Sequence, residues 1–233
     1  MAYLDVFFFQ LYPYIAGTVF LVGSWLRFER GQYTWSSDSS ELLARGSLRW
    51  GSNLFHIGVL SLFMGHLALL IPANWLTAIG LIPHRHQILA IVTGLLFAVA
   101  CLVGLVLLMH RRATQPRVRA TTRPMDVVVL VWILLVLGFG MSTIYFSSQE
   151  LSGTRLVALS DWTQRIITFR GGAAELVAEA HWVYKVHIVL GMTLFALVPF
   201  SRLVHIWSGF ATVVYLFRPH LVVRPAWRNR NIR

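Results

Sequence analysis

The chain has 233 residues, of which 57% are hydrophobic and only 12% charged, and it carries a formal net charge of +11. A soluble domain carries about 25% charged residues, so the composition excludes an ordinary water-soluble enzyme and points to the membrane. The one cysteine, Cys101, lies in an apolar run, which excludes an internal disulfide framework, a cysteine-ligated cluster and a CxxCH haem attachment within the chain.

About 20 apolar residues cross the hydrocarbon core as a helix, and five stretches reach that length: 6–26, 52–71, 88–109, 127–146 and 182–207. The first contains Pro13 and Gly17. It lacks a basic start and a small-residue cleavage site, so it reads as a retained span rather than a signal peptide. The runs are continuous and too long for barrel strands. The fold class is therefore all-α, a five-helix transmembrane bundle.

The basic residues give the bundle a direction. Arg27, Arg30, Arg45 and Arg49 follow the first span, and Arg111, Arg112, Arg117, Arg119 and Arg123 follow the third. Arg202, Arg218, Arg224, Arg228, Arg230 and Arg233 close the chain on the same side. The opposite side has Arg85, Arg155, Arg165, Arg170 and the only lysine, Lys185. Excess arginine marks the cytoplasmic face, so the N-terminus is expected outside and the C-terminus in the cytoplasm. This alternation also fits a membrane topology better than a nucleic-acid surface.

The longest connection, 147–181, faces outward. Within it, 154–169 places Leu156, Val157, Leu159, Trp162, Ile166 and Ile167 at roughly helical spacing. That predicts an amphipathic helix at the membrane surface, either a plain cap or a cover over a ligand pocket. Residues 1–210 read as one membrane domain. Residues 211–233 read as a basic cytoplasmic tail that docks partner subunits or lies at the interface.

Four histidines carry the chemistry. His56 and His66 lie on the second span, and His187 and His205 on the fifth. A histidine within a membrane span is costly and rarely idle, and neutral imidazole is a good iron ligand. The two spans run antiparallel, which pairs His66 with His187 near the outer face and His56 with His205 near the cytoplasmic face. Each pair reads as the axial ligands of one b-type haem. A zinc site would gather three or four ligands at one place. On straight helices, ten residues rise about 15 Å and eighteen about 27 Å. The difference of about 12 Å must be absorbed by tilt, by diagonal ligation or by a bend, and Pro199 stands between His187 and His205 as a common cause of one. Gly58, Gly65, Gly191 and Ser201 are small neighbours that would let a flat ring approach the backbone. Arg112 and Arg202 stand where haem propionates could be held, since arginine pairs bidentately with carboxylates; plain positive-inside anchoring is the alternative role. Of the remaining histidines, His84, His110, His181 and His220 read as interfacial or solvated. His86, in the loop IPHRHQ, reads the same way, with contact to a quinol as its alternative role.

These ligand segments, SNLFHIG with Gly65–His66 and KVHIVLGMTLFALVPFSRLVHIW, resemble those of the gamma subunit of the bacterial membrane-bound respiratory nitrate reductases. The likeness extends to FFFQLYPYIAG, GSWLR, GQYTW and PRVRATT, and runs nearly end to end. It implies two haem b groups, with His66 and His187 on the outer haem and His56 and His205 on the inner one. It implies quinol oxidation near the periplasmic side, with Gly65, His66 and His86 as candidate quinol-site residues. It further implies electron delivery to an iron–sulfur subunit and from there to a molybdenum catalytic subunit, in the bacterial inner membrane. The sequence departs from that pattern in two places. His86, beside Arg85, falls near where the family has a lysine implicated in quinol binding. The run RGGAAEL stands where a histidine-containing variant is common.

Two other readings compete. A haem b subunit of a formate dehydrogenase or hydrogenase would share the ligands but dock another partner, which neighbouring genes would reveal. A transporter using the histidines as a proton relay would need central carboxylates, whereas Asp126 lies at the edge of a span.

Overall fold

The computed structural model describes residues 3–31 and 45–207. The docking tail expected at 211–233 lies outside the described residues. Five helices are long and apolar enough to cross a membrane. They are α1 (Tyr3–Arg30), α2 (Arg45–Leu67), α4 (Pro83–Thr114), α6 (Pro124–Ser148) and α9 (Trp182–Leu197). Four short helices fill the connections: α3 (Ala73–Ala78), α5 (Pro116–Ala120), α7 (Thr154–Ile167) and α8 (Ala173–Ala178).

Packing runs round the bundle. Helix α2 lies on α4, α4 on α6, α6 on α9, and α9 on α1. The tightest crossing, between α2 and α4, is made by small residues. A methyl group added at Gly58 would lie 2.6 Å from the Cys101 backbone nitrogen, and one added at Gly104 would lie 2.8 Å from the Gly51 carbonyl. In lipid, close approach of this kind replaces the hydrophobic drive that joins helices in water. Ala98, Cys101 and Leu105 of α4 then meet Val129, Ile133 and Leu137 of α6 in the central apolar cluster, with Phe55, Val59 and Leu62 of α2 against them.

Helix α1 begins irregularly. Pro13 lacks the N–H that would pair with the Phe9 carbonyl in an α-helix. The backbone widens to a π turn over Phe7–Leu11, and the buried Trp162 indole of α7 donates to the Phe9 carbonyl at 2.8 Å. The amphipathic helix expected at 154–169 is thus present as α7, and its apolar side closes one end of the bundle. Trp162 joins Phe9 and residues Ala173, Ala174 and Val177 of α8 in a second buried cluster. The sequence pattern did not separate α8 from its surrounding loop.

The fifth span departs most from expectation. The helix stops at Leu197, ten residues short of Trp207. Two 3-10 turns follow, Val198–Phe200 and Arg202–Val204, separated by an extended Ser201. Pro199 provides the cause, since it cannot donate to the helical ladder. Gly23 of α1 makes room for it: a methyl group there would lie 2.9 Å from the proline ring.

Candidate functional site: two facing histidine pairs

Helices α2 and α9 share at most marginal backbone contact, yet the two histidines of α2 each face another, one on α9 and one on the segment beyond its break. The rings of His66 and His187 lie 5.9 Å apart between centres, inclined at 40°. Those of His56 and His205 lie 6.3 Å apart, inclined at 64°. Among the described residues, no three His, Cys, Asp or Glu side chains gather at one point; these histidines come in twos.

The pair spacing has a direct chemical meaning. A metal–imidazole bond of about 2.0–2.1 Å, plus about 1.1 Å from nitrogen to ring centre, sets two rings trans on one metal about 6.3 Å apart. Both pairs fit that distance. Each ring is also oriented by its other nitrogen. His56 Nδ1 donates to the Ser52 carbonyl at 2.8 Å and His66 Nδ1 to the Leu62 carbonyl at 2.7 Å. His187 Nδ1 donates to the Val136 carbonyl of α6 at 3.1 Å, and His205 Nδ1 to the Arg202 carbonyl at 2.6 Å. A carbonyl only accepts, so each Nδ1 carries the proton and each Nε2 is the unprotonated nitrogen. Outer bonds of this kind fix the tautomer and rotation of ligating histidines. The four donors therefore fit two bis-imidazole irons.

Space for a flat ring is present as well. Methyl groups added at Gly65, beside His66, or at Gly191, one turn after His187, would meet nothing within 4 Å. Gly140 has a different task, which sequence reasoning missed. A methyl group there would lie 2.9 Å from His187 Cε1, so only glycine lets that ring lie against α6 and reach Val136.

The unequal spacings of ten and eighteen residues resolve at the break. The helical part of the second segment, from His187 to Leu197, covers ten residues, or about 15 Å, the same rise as His56 to His66. The remaining residues to His205 follow the two 3-10 turns instead of extending the helix. The break is held from outside. Arg27 of α1 donates through Nη1 to the Pro199 carbonyl at 2.8 Å and the Ser201 carbonyl at 2.7 Å. Arg202 and Arg112, the expected propionate partners, both meet the buried carboxylate of Asp126: Arg202 Nε at 2.9 Å and Arg112 Nη1 at 3.1 Å. Neither Arg27 nor Asp126 was legible as part of a site.

At the His66–His187 end, His86 is half-buried; its backbone N–H donates to the Ile82 carbonyl, and its ring makes no hydrogen bond or ring contact among the described residues. Its neighbours are fixed. His84 Nδ1 donates to the Leu151 carbonyl at 2.6 Å. Buried Gln87 donates to the Ser147 and Glu150 carbonyls at 2.8 and 2.7 Å, and accepts from the Gly153 N–H at 2.7 Å. Gln87 thereby ties α4 to the loop that leads into α7. Ser160 of α7 donates to the Leu69 carbonyl at 2.7 Å, so α7 is also tied to the turn that follows His66. His181 caps the start of α9 and stacks on Phe146. Replacing Gln87 with leucine should strand the buried Gly153 N–H at about 1–3 kcal/mol and release two part-buried carbonyls at less. The expected result is early proteolytic cleavage between α6 and α7 and a lower unfolding temperature; unchanged protease resistance would show that Gln87 is not the tie.

The family model for the nitrate reductase gamma subunit matches residues 5–226. The chain belongs to the nitrate reductase gamma subunit family. It is 45% identical over 224 residues to the respiratory nitrate reductase 1 gamma chain of Escherichia coli (strain K12), covering 96% of this chain and 99% of that one. It is 34% identical over 213 residues to the nitrate reductase gamma chain of Bacillus subtilis (strain 168), covering 91% and 94%. Membership, with five apolar helices, makes the chain a multi-pass inner-membrane protein and a membrane-anchoring cytochrome b subunit of an oxidoreductase complex that includes iron–sulfur and catalytic subunits. The formate dehydrogenase and hydrogenase alternatives and the transporter give way to this assignment.

Proposed function

We propose that this chain binds two b haems, one between His66 and His187 and one between His56 and His205. In this reading it oxidises quinol at the first pair's end and passes the electrons to the iron–sulfur subunit at the second, for nitrate reduction by the molybdenum subunit. The observation that carries the reading is the geometry of the pairs: two ring separations near the bis-imidazole distance, with all four Nδ1 atoms committed to carbonyls. Each haem, when bound, supplies a one-electron carrier. The arginine asymmetry supports a periplasmic His66–His187 end and a cytoplasmic basic tail that docks the partners.

The chain's own residues have separate tasks. His86 has a ring nitrogen available to accept a hydrogen bond, and then a proton, from a quinol hydroxyl. Gly65 leaves room beside His66 for a quinol edge. Arg112 and Arg202, both held at Asp126, are the candidate propionate partners, since arginine pairs bidentately with carboxylates. Protons released outside and charge carried inward conserve energy. The inward charge works against about 2.3 kcal/mol per 100 mV of membrane potential.

The test is a redox titration of the purified complex. Two b haems per gamma chain are expected, and a quinol-site inhibitor should shift the titration of only one. A chain with no b-type spectrum, or with one haem, would overturn the reading. Replacing His86 with alanine removes one hydrogen bond, so quinol KM should rise about three- to tenfold with both haems retained. An unchanged KM in steady-state quinol kinetics would exclude His86 from the pocket.

A further inference from the structure

The four histidines are not held alike. His56 and His66 donate to carbonyls one turn back on their own uninterrupted helix, and His187 rests on α6. His205 follows a break, and its Nδ1 partner is the Arg202 carbonyl, within the second 3-10 turn. Its orientation therefore depends on whatever holds that turn. Two charged side chains from other helices do so. Arg27 donates to the Pro199 and Ser201 carbonyls on one side of Arg202. Asp126, with a side chain only 6% exposed, takes the Arg202 guanidinium and is itself fixed by Arg112 and by the Arg123 N–H at 2.9 Å. Arg202 also donates to the Thr121 carbonyl at 3.2 Å.

We propose that Arg27 and Asp126 are positioning residues for His205, clamping the broken segment from α1 and α6 so that its imidazole meets His56 at ligating distance. The physical need is plain. Carbonyls freed by a broken helix at membrane depth must be satisfied by the protein, and a 3-10 turn has weaker hydrogen-bond geometry than the α-helix it replaces. Without the clamp the turn is less constrained, and the His205 ring moves with the Arg202 carbonyl. The outer pair has no link of this kind, because the Leu62 and Val136 carbonyls that hold its Nδ1 atoms belong to regular helices. The two haems should therefore respond separately.

The inference rests on the two-haem reading, and the test keeps them apart. The full membrane-bound complex is compared with its Arg27→Gln, Arg27→Lys and Asp126→Asn variants by haem content, potentiometric titration and low-temperature electron paramagnetic resonance. Two haems in the unaltered complex establish the first reading. For the clamp, Arg27→Gln and Asp126→Asn should each change the low-spin signal of one haem, which reports the angle between its ligand planes. The same variants should change that haem's reduction equilibrium tenfold or more, about 59 mV for one electron, and leave the other haem unaltered. Arg27→Lys keeps the charge and loses the planar guanidinium, and should also change that signal. The clamp is overturned if neither haem responds, if both move together, or if Arg27→Lys matches the unaltered complex while Arg27→Gln shifts the potential alone. Should Arg27→Gln fail to accumulate, Asp126→Asn decides by the same readings.

Discussion

Replacing His187 with alanine should lower the haem content from two per chain to one and abolish quinol oxidation, while the haem between His56 and His205 remains. The two pairs lie ten residues, about 15 Å, apart along α2 and share no ligand, so loss of one leaves the other's geometry intact. Disturbing a residue that merely orients a ligand costs about 10–100-fold in affinity, and removing the ligand itself should cost more. Gly140 provides the graded comparison. Its alanine variant would press a methyl group on His187 Cε1, tilting the ring away from the Val136 carbonyl without deleting it. That variant should fall within the range expected for a lost orienting contact. Haem extraction assays and quinol-dependent reduction kinetics measure both effects. If the His187 variant retained two haems, the pairing would be wrong.

The second large effect is at the α2–α4 crossing. Valine at Gly104 would drive its side chain into the Phe55 amide and the Gly51 carbonyl, both backbone atoms that cannot turn aside. Overpacking costs about 1–3 kcal/mol where side chains can adjust, and more is expected where a whole helix must move. Phe55 precedes His56, so separation of the helices displaces a proposed haem ligand. The variant should accumulate poorly, and what accumulates should be depleted in the inner haem before the outer. Gly17→Val is the matched control, because a methyl group there meets nothing within 4 Å. Equal yield and equal haem content in the two variants would refute a role for close packing at Gly104.

Hydropathy made the five spans legible because a membrane imposes length and apolarity on each segment separately. The amphipathic α7 was legible for a similar local reason. The four histidines were legible because an imidazole within an apolar run has few uses, and the antiparallel arrangement alone sorts them into pairs. What the sequence hid is non-local. Arg27 counts as one more basic residue after a span, yet its partners stand 172 and 174 positions later. Asp126 reads as a helix-start acid, a role it does fill, while its second oxygen serves Arg202 across the bundle. The length mismatch between the ligand segments could not be settled from spacing because Pro199 announces a bend without its direction. The neighbouring Gly23 and Arg27 decide the direction.

The thin contact between α2 and α9 has a consequence for assembly. Lateral cohesion in a bilayer comes from packed surfaces, and this pair of helices faces across the His66–His187 imidazoles. A flat macrocycle bound there, as proposed, would be a wall of the building as much as a tenant. Its binding energy counts directly toward the folded state, so cofactor supply should set how much of this chain the cell retains. In a cell starved of haem, the complex would be lost at its membrane anchor first.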